Sequence, residues 1–267
     1  MWSVSFHEFA ADLRAIATSC WRAEYDGAVA ELPGAIAPDA HVEFVFQTGA
    51  PVDVEVGSAV RPTPRAMVYA QSRGLLRMKP RGANALVAFR VLPAAATAIL
   101  GASLAGAWDR PVDLEDHIGD EALRLLDRLA AAPVQAFGGA IEGWLRSRLQ
   151  RWNSEAESNQ RLQFALIWNA TSERLCELDP GRGSERALRR RCEKYAGIAA
   201  KEITMAGRML RSCDLLIRAP GKTICDVALS LGFADQAAFT NAFRRRLGVT
   251  PADLRRERLV YYEKPPF

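Results

Sequence analysis

The chain has 267 residues, room for two modest domains, and 49% of them are hydrophobic, enough to bury real cores. No run approaches the ~18 apolar residues of a bilayer-spanning helix, and the opening residues, with His7 and Glu8, lack the basic-then-apolar order of a secretory signal; a cytoplasmic protein away from membranes is expected. The net charge of +4 is unevenly placed: residues 1–154 hold 15 Lys+Arg against 17 Asp+Glu, net −2, and residues 155–267 hold 20 against 14, net +6.

A basic half on a near-neutral partner suits phosphate contact, although a solvated helical face gives the same count. The five cysteines, Cys20, Cys176, Cys192, Cys213 and Cys225, form no C-x-x-C pair, so zinc and redox spacings are absent and packing is the expected use. His7, His41 and His117 are dispersed, with no metal-ligand spacing. No cofactor or metal is expected.

From about residue 35 to 93 the pattern reads as strands. Val42, Phe44 and Phe46 share one face of His41–Gln47, and Val52–Val56 alternates strictly, as half-buried strands do. Leu75–Met78 and Ala85–Leu92 read as two more. Glycines and prolines punctuate the region, which predicts a small antiparallel sandwich or barrel. His41 beside Glu43 is expected on an ordinary strand surface.

Helices follow. Asp116–Ala132 carries Ile118, Ala122 or Leu123, Leu125, Leu126 and Leu129. Phe137–Trp152 sets Phe137, Ile141, Trp144, Leu145, Leu149 and Trp152 on one stripe, readable equally as core or as a dimer face. Residues 153–158 are polar and small, and form the expected linker.

Beyond the linker the chain reads as all helix, broken at Asp179–Gly183. Ser184 can cap a helix to about Tyr195. Lys201–Arg218 is a longer helix, with Ile203, Ala206, Leu210, Cys213 and Ile217 as its apolar stripe, ended by Ala219-Pro220-Gly221. Thr223 and Asp226 form a capping box, Gly232 ends that helix, Asp235 caps the next and Gly248 ends it; Pro251 opens the last. Gly221-Lys222-Thr223 is not a phosphate loop, because Leu216 stands where that loop needs glycine.

Between Thr223 and Leu247 a short helix offers Ile224, Val227, Ala228 and Leu231 on one face. Gly232 makes a tight turn, and Phe233 plugs the angle. The next helix buries Phe239, Phe243 and Leu247 and turns Gln236, Thr240, Asn241, Arg244 and Arg245 outward. This is a helix-turn-helix with a polar and basic reading face.

The run Ile224, Val227-Ala228, Gly232-Phe233, Phe239, Phe243-Arg244, Gly248, Pro251 and Arg255 closely resembles the signature of AraC-type transcriptional regulators. Ser184–Lys201 resembles the family's first helix-turn-helix, with Cys192 where an aromatic is usual. Pro38–Gly49 is similar to the opening of the sensory β-domain in one subgroup.

The resemblance implies an α+β chain. A cupin-like antiparallel β-domain with helices, for sensing or dimerisation, would occupy residues 1–152. An all-α DNA-binding domain with two helix-turn-helix units would occupy 159–258, followed by a tail at 259–267. The Lys201–Arg218 helix, about 27 Å long at 1.5 Å per residue, would hold two readers over successive major grooves about 34 Å apart. Arg186, Arg189 and Arg190 of the first reader would meet bases or phosphates. Gln236, Ala237 and Asn241 would meet bases, Arg244 and Arg245 phosphate, and Thr240 would belong to the same DNA-binding face.

Implied partners are double-stranded DNA, a small-molecule effector, a second copy of the chain, and RNA polymerase if the protein activates. Two rival readings stand beside a sensor-regulator. One is a constitutive DNA binder whose β-domain only dimerises. The other is an enzyme fused to a DNA-binding domain, with Cys20 as the sole N-terminal thiol that could react.

Overall fold

The computed structural model describes residues 2–14, 16–27, 41–70, 74–102, 104, 106, 107, 109–150, 190 and 200–256. Among the described residues, nine strands precede most of the helices: β1 (Trp2–His7), β2 (Ala17–Tyr25), β3 (Val42–Gly49), β4 (Val52–Val56), β5 (Ala59–Pro62), β6 (Ala66–Tyr69), β7 (Leu76–Pro80), β8 (Asn84–Val91) and β9 (Pro111–Asp113). They form two antiparallel sheets, one of six strands in the order β1-β2-β8-β3-β6-β9 and one of three in the order β5-β4-β7. The expected two-sheet antiparallel arrangement is present.

The strands at 42–49, 52–56, 76–80 and 84–91 match the sequence reading closely. β1 and β2 extend the sheet to the start of the chain, ahead of the region the alternation marked. β3 was expected to be half-buried and is covered on both faces. Its Val42, Phe44 and Phe46 join Phe89, Val91 and the helices in one core, whereas Val45 joins Trp21, Leu86, Ala88 and Val52 between the sheets. Helices α1 (Pro93–Leu100), α3 (Glu121–Ala131) and α4 (Phe137–Leu149) cover the first face, and the three-stranded sheet covers the second. A sheet covered on both faces selects near-continuous apolar strands.

The expected helix at 116–132 is two pieces. α2 (Glu115–Ile118) ends at Gly119, whose φ of 58° lies in the left-handed region, and α3 restarts at Glu121. Glycine reaches that conformation without the Cβ clash other residues meet there. Ala122, Leu125, Leu126 and Leu129 of α3 are buried as expected. In α4, Phe137, Ile141, Trp144 and Leu145 are buried in the same core, with the Trp144 ring 6.1 Å from Phe44 and 6.0 Å from Phe89. The stripe of this helix is therefore core; Trp152 lies outside the described residues.

His41 and Glu43 do not sit on an open strand surface. His41 is buried, and Glu43 Oε1 accepts hydrogen bonds from Arg90 Nε at 3.2 Å and Trp21 Nε1 at 3.3 Å. Glu43, Arg90 and Trp21 come from three adjacent strands, and Glu43 is half-buried among them. A carboxylate so enclosed requires internal partners. Cys20 is buried in the main core, and burial pushes its thiol far up, the opposite of what a nucleophilic thiolate needs.

The C-terminal part is helical: α5 (Ala200–Arg218), α6 (Ile224–Ser230), α7 (Gln236–Leu247) and α8 (Pro251–Arg256). Its core holds Met209, Cys213, Leu216, Val227, Ala228, Leu231, Phe239, Phe243, Leu247 and Leu254. Leu75, just ahead of β7, is buried among them. The linker at 153–158 and the tail at 259–267 lie outside the described residues. No helix among the described residues is long and apolar enough to cross a membrane.

Candidate DNA-binding interface

The second helix-turn-helix is fixed by local chemistry at each corner. The Thr223 hydroxyl accepts from the Asp226 backbone N–H at 3.0 Å, and Asp226 Oδ2 accepts from the Thr223 N–H at 3.0 Å and from its hydroxyl at 2.7 Å. This is a complete capping box at the start of α6. The same Thr223 hydroxyl and N–H hold the Asp226 carboxyl below its ordinary range. Thr250 and Asp253 repeat the arrangement at α8, where Pro251 takes the first helical position.

At the end of α6 the Gly232 N–H donates to Leu229 O at 3.0 Å, and the Phe233 N–H to Ala228 O at 3.0 Å. This paired 5→2 and 6→1 pattern is a Schellman turn and requires a left-handed residue after the helix. Gly232 supplies it, with φ of 73°. Asp235 then caps α7 by accepting from the Ala238 N–H at 2.7 Å, and Gly248 ends the helix with φ of 78°.

Gly232→Val is therefore expected to destabilise the C-terminal core by about 1–3 kcal/mol, the usual cost of a strained left-handed residue. The cost is conformational, since the nearest atom a Cβ would meet is Arg208 Nη2, 4.0 Å away. A thermal melt and a DNA-binding curve both unchanged in this variant would show that the turn does not depend on glycine.

α7 is divided cleanly. Phe239, Phe243 and Leu247 are buried; Gln236, Ala237, Asn241, Arg244 and Arg245 are exposed, and Thr240 is half-buried. Of the six sequence-predicted residues of the second reader, Ala237, Asn241, Arg244 and Arg245 lie away from the core face, Gln236 is exposed in the first turn on the stripe of Phe239 and Phe243, and Thr240 flanks that stripe; Arg244 and Arg245 are in the last turn. In the first reader, Arg190 is helical and exposed, whereas Arg186 and Arg189 lie outside the described residues.

The buried stripe of α5 differs from the one read from the sequence. Among the described side chains, Met209, Cys213 and Leu216 are its fully buried apolar positions, whereas Leu210 and Ile217 are only partly buried; Ile203 and Ala206 lie outside the described side chains. Both sets recur at 3- and 4-residue steps, so periodicity alone does not choose between them.

Two arginines act in ways the sequence reading did not assign. Arg255, the last residue of the signature, donates from Nε to Leu216 O at 3.3 Å and from Nη2 to Lys222 O at 2.9 Å. It thereby ties α8 to the end of α5 and the loop beyond. Arg208, on α5, donates from Nη2 to Leu231 O at 2.8 Å, and its guanidinium carbon lies 4.1 Å from the Phe233 ring centroid. Partial burial lowers its pKa from the ordinary arginine value.

Residues 183–257 match the family model of a helix-turn-helix domain. This segment is a helix-turn-helix domain, the class of fold that the capped helices and the Gly232 turn build. Among solved structures, the chain is similar to ToxT from Vibrio cholerae at 9% identity and a TM-score of 0.45, over 97% of this chain and 99% of that one. It is also similar to the C-terminal domain of AraT, a response regulator from Geobacillus stearothermophilus, at 20% identity and a TM-score of 0.33, over 41% and 92%. A cupin-2 domain protein, Rru_A2000 from Rhodospirillum rubrum, gives 15% identity and a TM-score of 0.22, over 53% and 80%. No curated protein sequence matches the chain.

Proposed function

We propose that the protein is a sequence-specific transcriptional regulator. Its α7 reads base edges in the major groove, and its N-terminal domain, residues 1–152, answers to a small-molecule effector. The observation that carries the DNA-binding part is the division of α7: an aromatic face locked into the core, and a polar, basic face left open. Asn241 and Gln236 suit adenine by bidentate geometry, and Arg244 and Arg245 suit phosphate. The first reader, within residues 159–201, adds Arg186, Arg189 and Arg190. The DNA-binding domain spans 159–258, joined to the sensor through 153–158.

For the effector part, support comes from the resemblance of residues 38–49 to a sensory β-domain and from Leu75, which places a residue of the β-domain among the C-terminal core side chains. α4 spends its apolar stripe inside the N-terminal core, which removes that stripe as a dimer face. That weighs against a β-domain that only dimerises.

The test is binding-site selection with the full chain. Asn241→Ala should cost about 1–3 kcal/mol at one base position and relax preference there, whereas Arg244→Ala should weaken all sequences about equally and flatten the salt dependence by about one unit of slope. The reverse pattern would overturn the assignment of roles. For the effector, a thermal-shift screen of the full chain against small metabolites should find a stabilising compound that also changes operator affinity.

A further inference from the structure

Arg208 holds the second reader to the connecting helix through two contacts at once. Leu231 O is the carbonyl at the C-terminal cap of α6, and the Arg208 Nη2 donates to it across a sequence separation of 23 residues. The guanidinium carbon also lies over the ring of Phe233, the residue immediately after the left-handed Gly232. Phe233 in turn packs on Phe239 at 5.2 Å, and Phe239 on Phe243 at 5.4 Å, both on the buried face of α7. A continuous line of contact therefore runs from α5, through the turn, to the underside of the recognition helix.

We infer that Arg208 is a positioning residue for DNA recognition: its hydrogen bond to Leu231 and its stacking on Phe233 set the angle at which α7 leaves the turn. This rests on the reading of α7 as the base-reading helix. The chemistry suits arginine in particular. A cation near a helix C-terminus complements the orphan carbonyls there, and a planar guanidinium can stack on a ring while one arm donates sideways. Lysine can supply the charge and a donor but not the plane. Arg208 carries no base contact in this scheme. Its loss leaves the basic face of α7 in place and loosens the geometry with which that face meets base edges.

Phosphate contacts tolerate small errors of angle better than bidentate base contacts do. Loss of Arg208 should therefore fall mainly on discrimination between sequences. A purely structural role would instead reduce the active fraction of protein and lower apparent affinity for all DNA equally.

The experiment uses the full chain, a duplex recovered by binding-site selection with the unaltered protein, and a scrambled duplex of equal length. Arg208→Met should reduce the ratio of the two affinities at least 10-fold while changing affinity for the scrambled duplex less than 3-fold. Arg208→Lys should restore part of the ratio. An unchanged ratio in Arg208→Met overturns the inference, whether or not its melting temperature falls. If Arg208→Met does not fold, Arg208→Lys decides: a lowered ratio supports the role and a ratio equal to the unaltered protein's overturns it. Should the unaltered protein select no preferred sequence, the reading of α7 as a base reader fails. Amide exchange at Gly232 and Phe233 then tests Arg208 independently: faster exchange in the variant supports its hold on the turn, and unchanged exchange overturns it.

Discussion

Phe239→Ala is expected to destabilise the C-terminal core by about 3–5 kcal/mol, the range for removing a fully buried phenylalanine, and to abolish DNA binding with it. Phe239 is fully buried and touches rings on both sides, Phe233 at the turn and Phe243 one helical turn along. Alanine would leave a cavity between α6, α7 and the connecting helix, with little else to collapse into it. A domain stable by only 5–15 kcal/mol cannot lose that much and hold a recognition helix rigidly. Phe239→Leu, which keeps most of the volume, should cost less than about 1.5 kcal/mol. Urea denaturation followed by helical circular dichroism measures both. A loss below 1 kcal/mol in the alanine variant would mean that α7 is held by something other than its aromatic face.

The C-terminal elements were legible because their signals are local. A threonine three residues before an aspartate, a glycine where the backbone must turn left-handed, and phenylalanines four apart each act over a few residues. Thr223, Asp226, Gly232, Asp235 and Gly248 accordingly fall where the sequence places them. The N-terminal domain was legible in kind and less so in extent. Alternation marks a strand with one wet face, and β2 and β3 are covered on both, so β2 carries no clean period and the period of β3 understates its burial. Gly119 sits inside an otherwise helical pattern, and the pattern alone does not say whether a glycine bends the chain or is absorbed. The hydrogen bonds of Glu43 to Arg90 and Trp21 join three strands far apart in sequence, which no local pattern announces. The roles of Arg208 and Arg255 are likewise tertiary. Each bonds a carbonyl more than twenty residues away, and nothing in the spacing announces it.

The two readers are expected to contribute unequally, with the second setting most of the sequence preference. The apolar positions of the second unit are filled: Val227, Ala228, Leu231, Phe239, Phe243 and Leu247 are buried, and Ile224 and Phe233 pack against them partly buried. The first unit has Cys192 where a large aromatic would brace its recognition helix, and Pro180-Gly181 lies just ahead of it. The smaller side chain buries less apolar area, at roughly 25 cal/mol per Å², a deficit on the order of 1–2 kcal/mol. Such a deficit loosens a small helical unit without unfolding it. Its sequence carries compensating charge, with Arg186, Arg189, Arg190 and Arg191 all basic. Charge attracts phosphate at any sequence, whereas base reading needs a helix held at a fixed angle. Two triple variants separate the readers on selected and scrambled duplexes. Alanine at Arg186, Arg189 and Arg190 should lower affinity for both DNAs in similar proportion and reduce the salt slope by about three. Alanine at Gln236, Asn241 and Arg244 should remove two bidentate base contacts at about 1–3 kcal/mol each, cutting the ratio of the two affinities by roughly 30-fold or more. If the first set erases discrimination and the second leaves it intact, the ranking is reversed, and the arginine-rich unit is the one that reads the sequence.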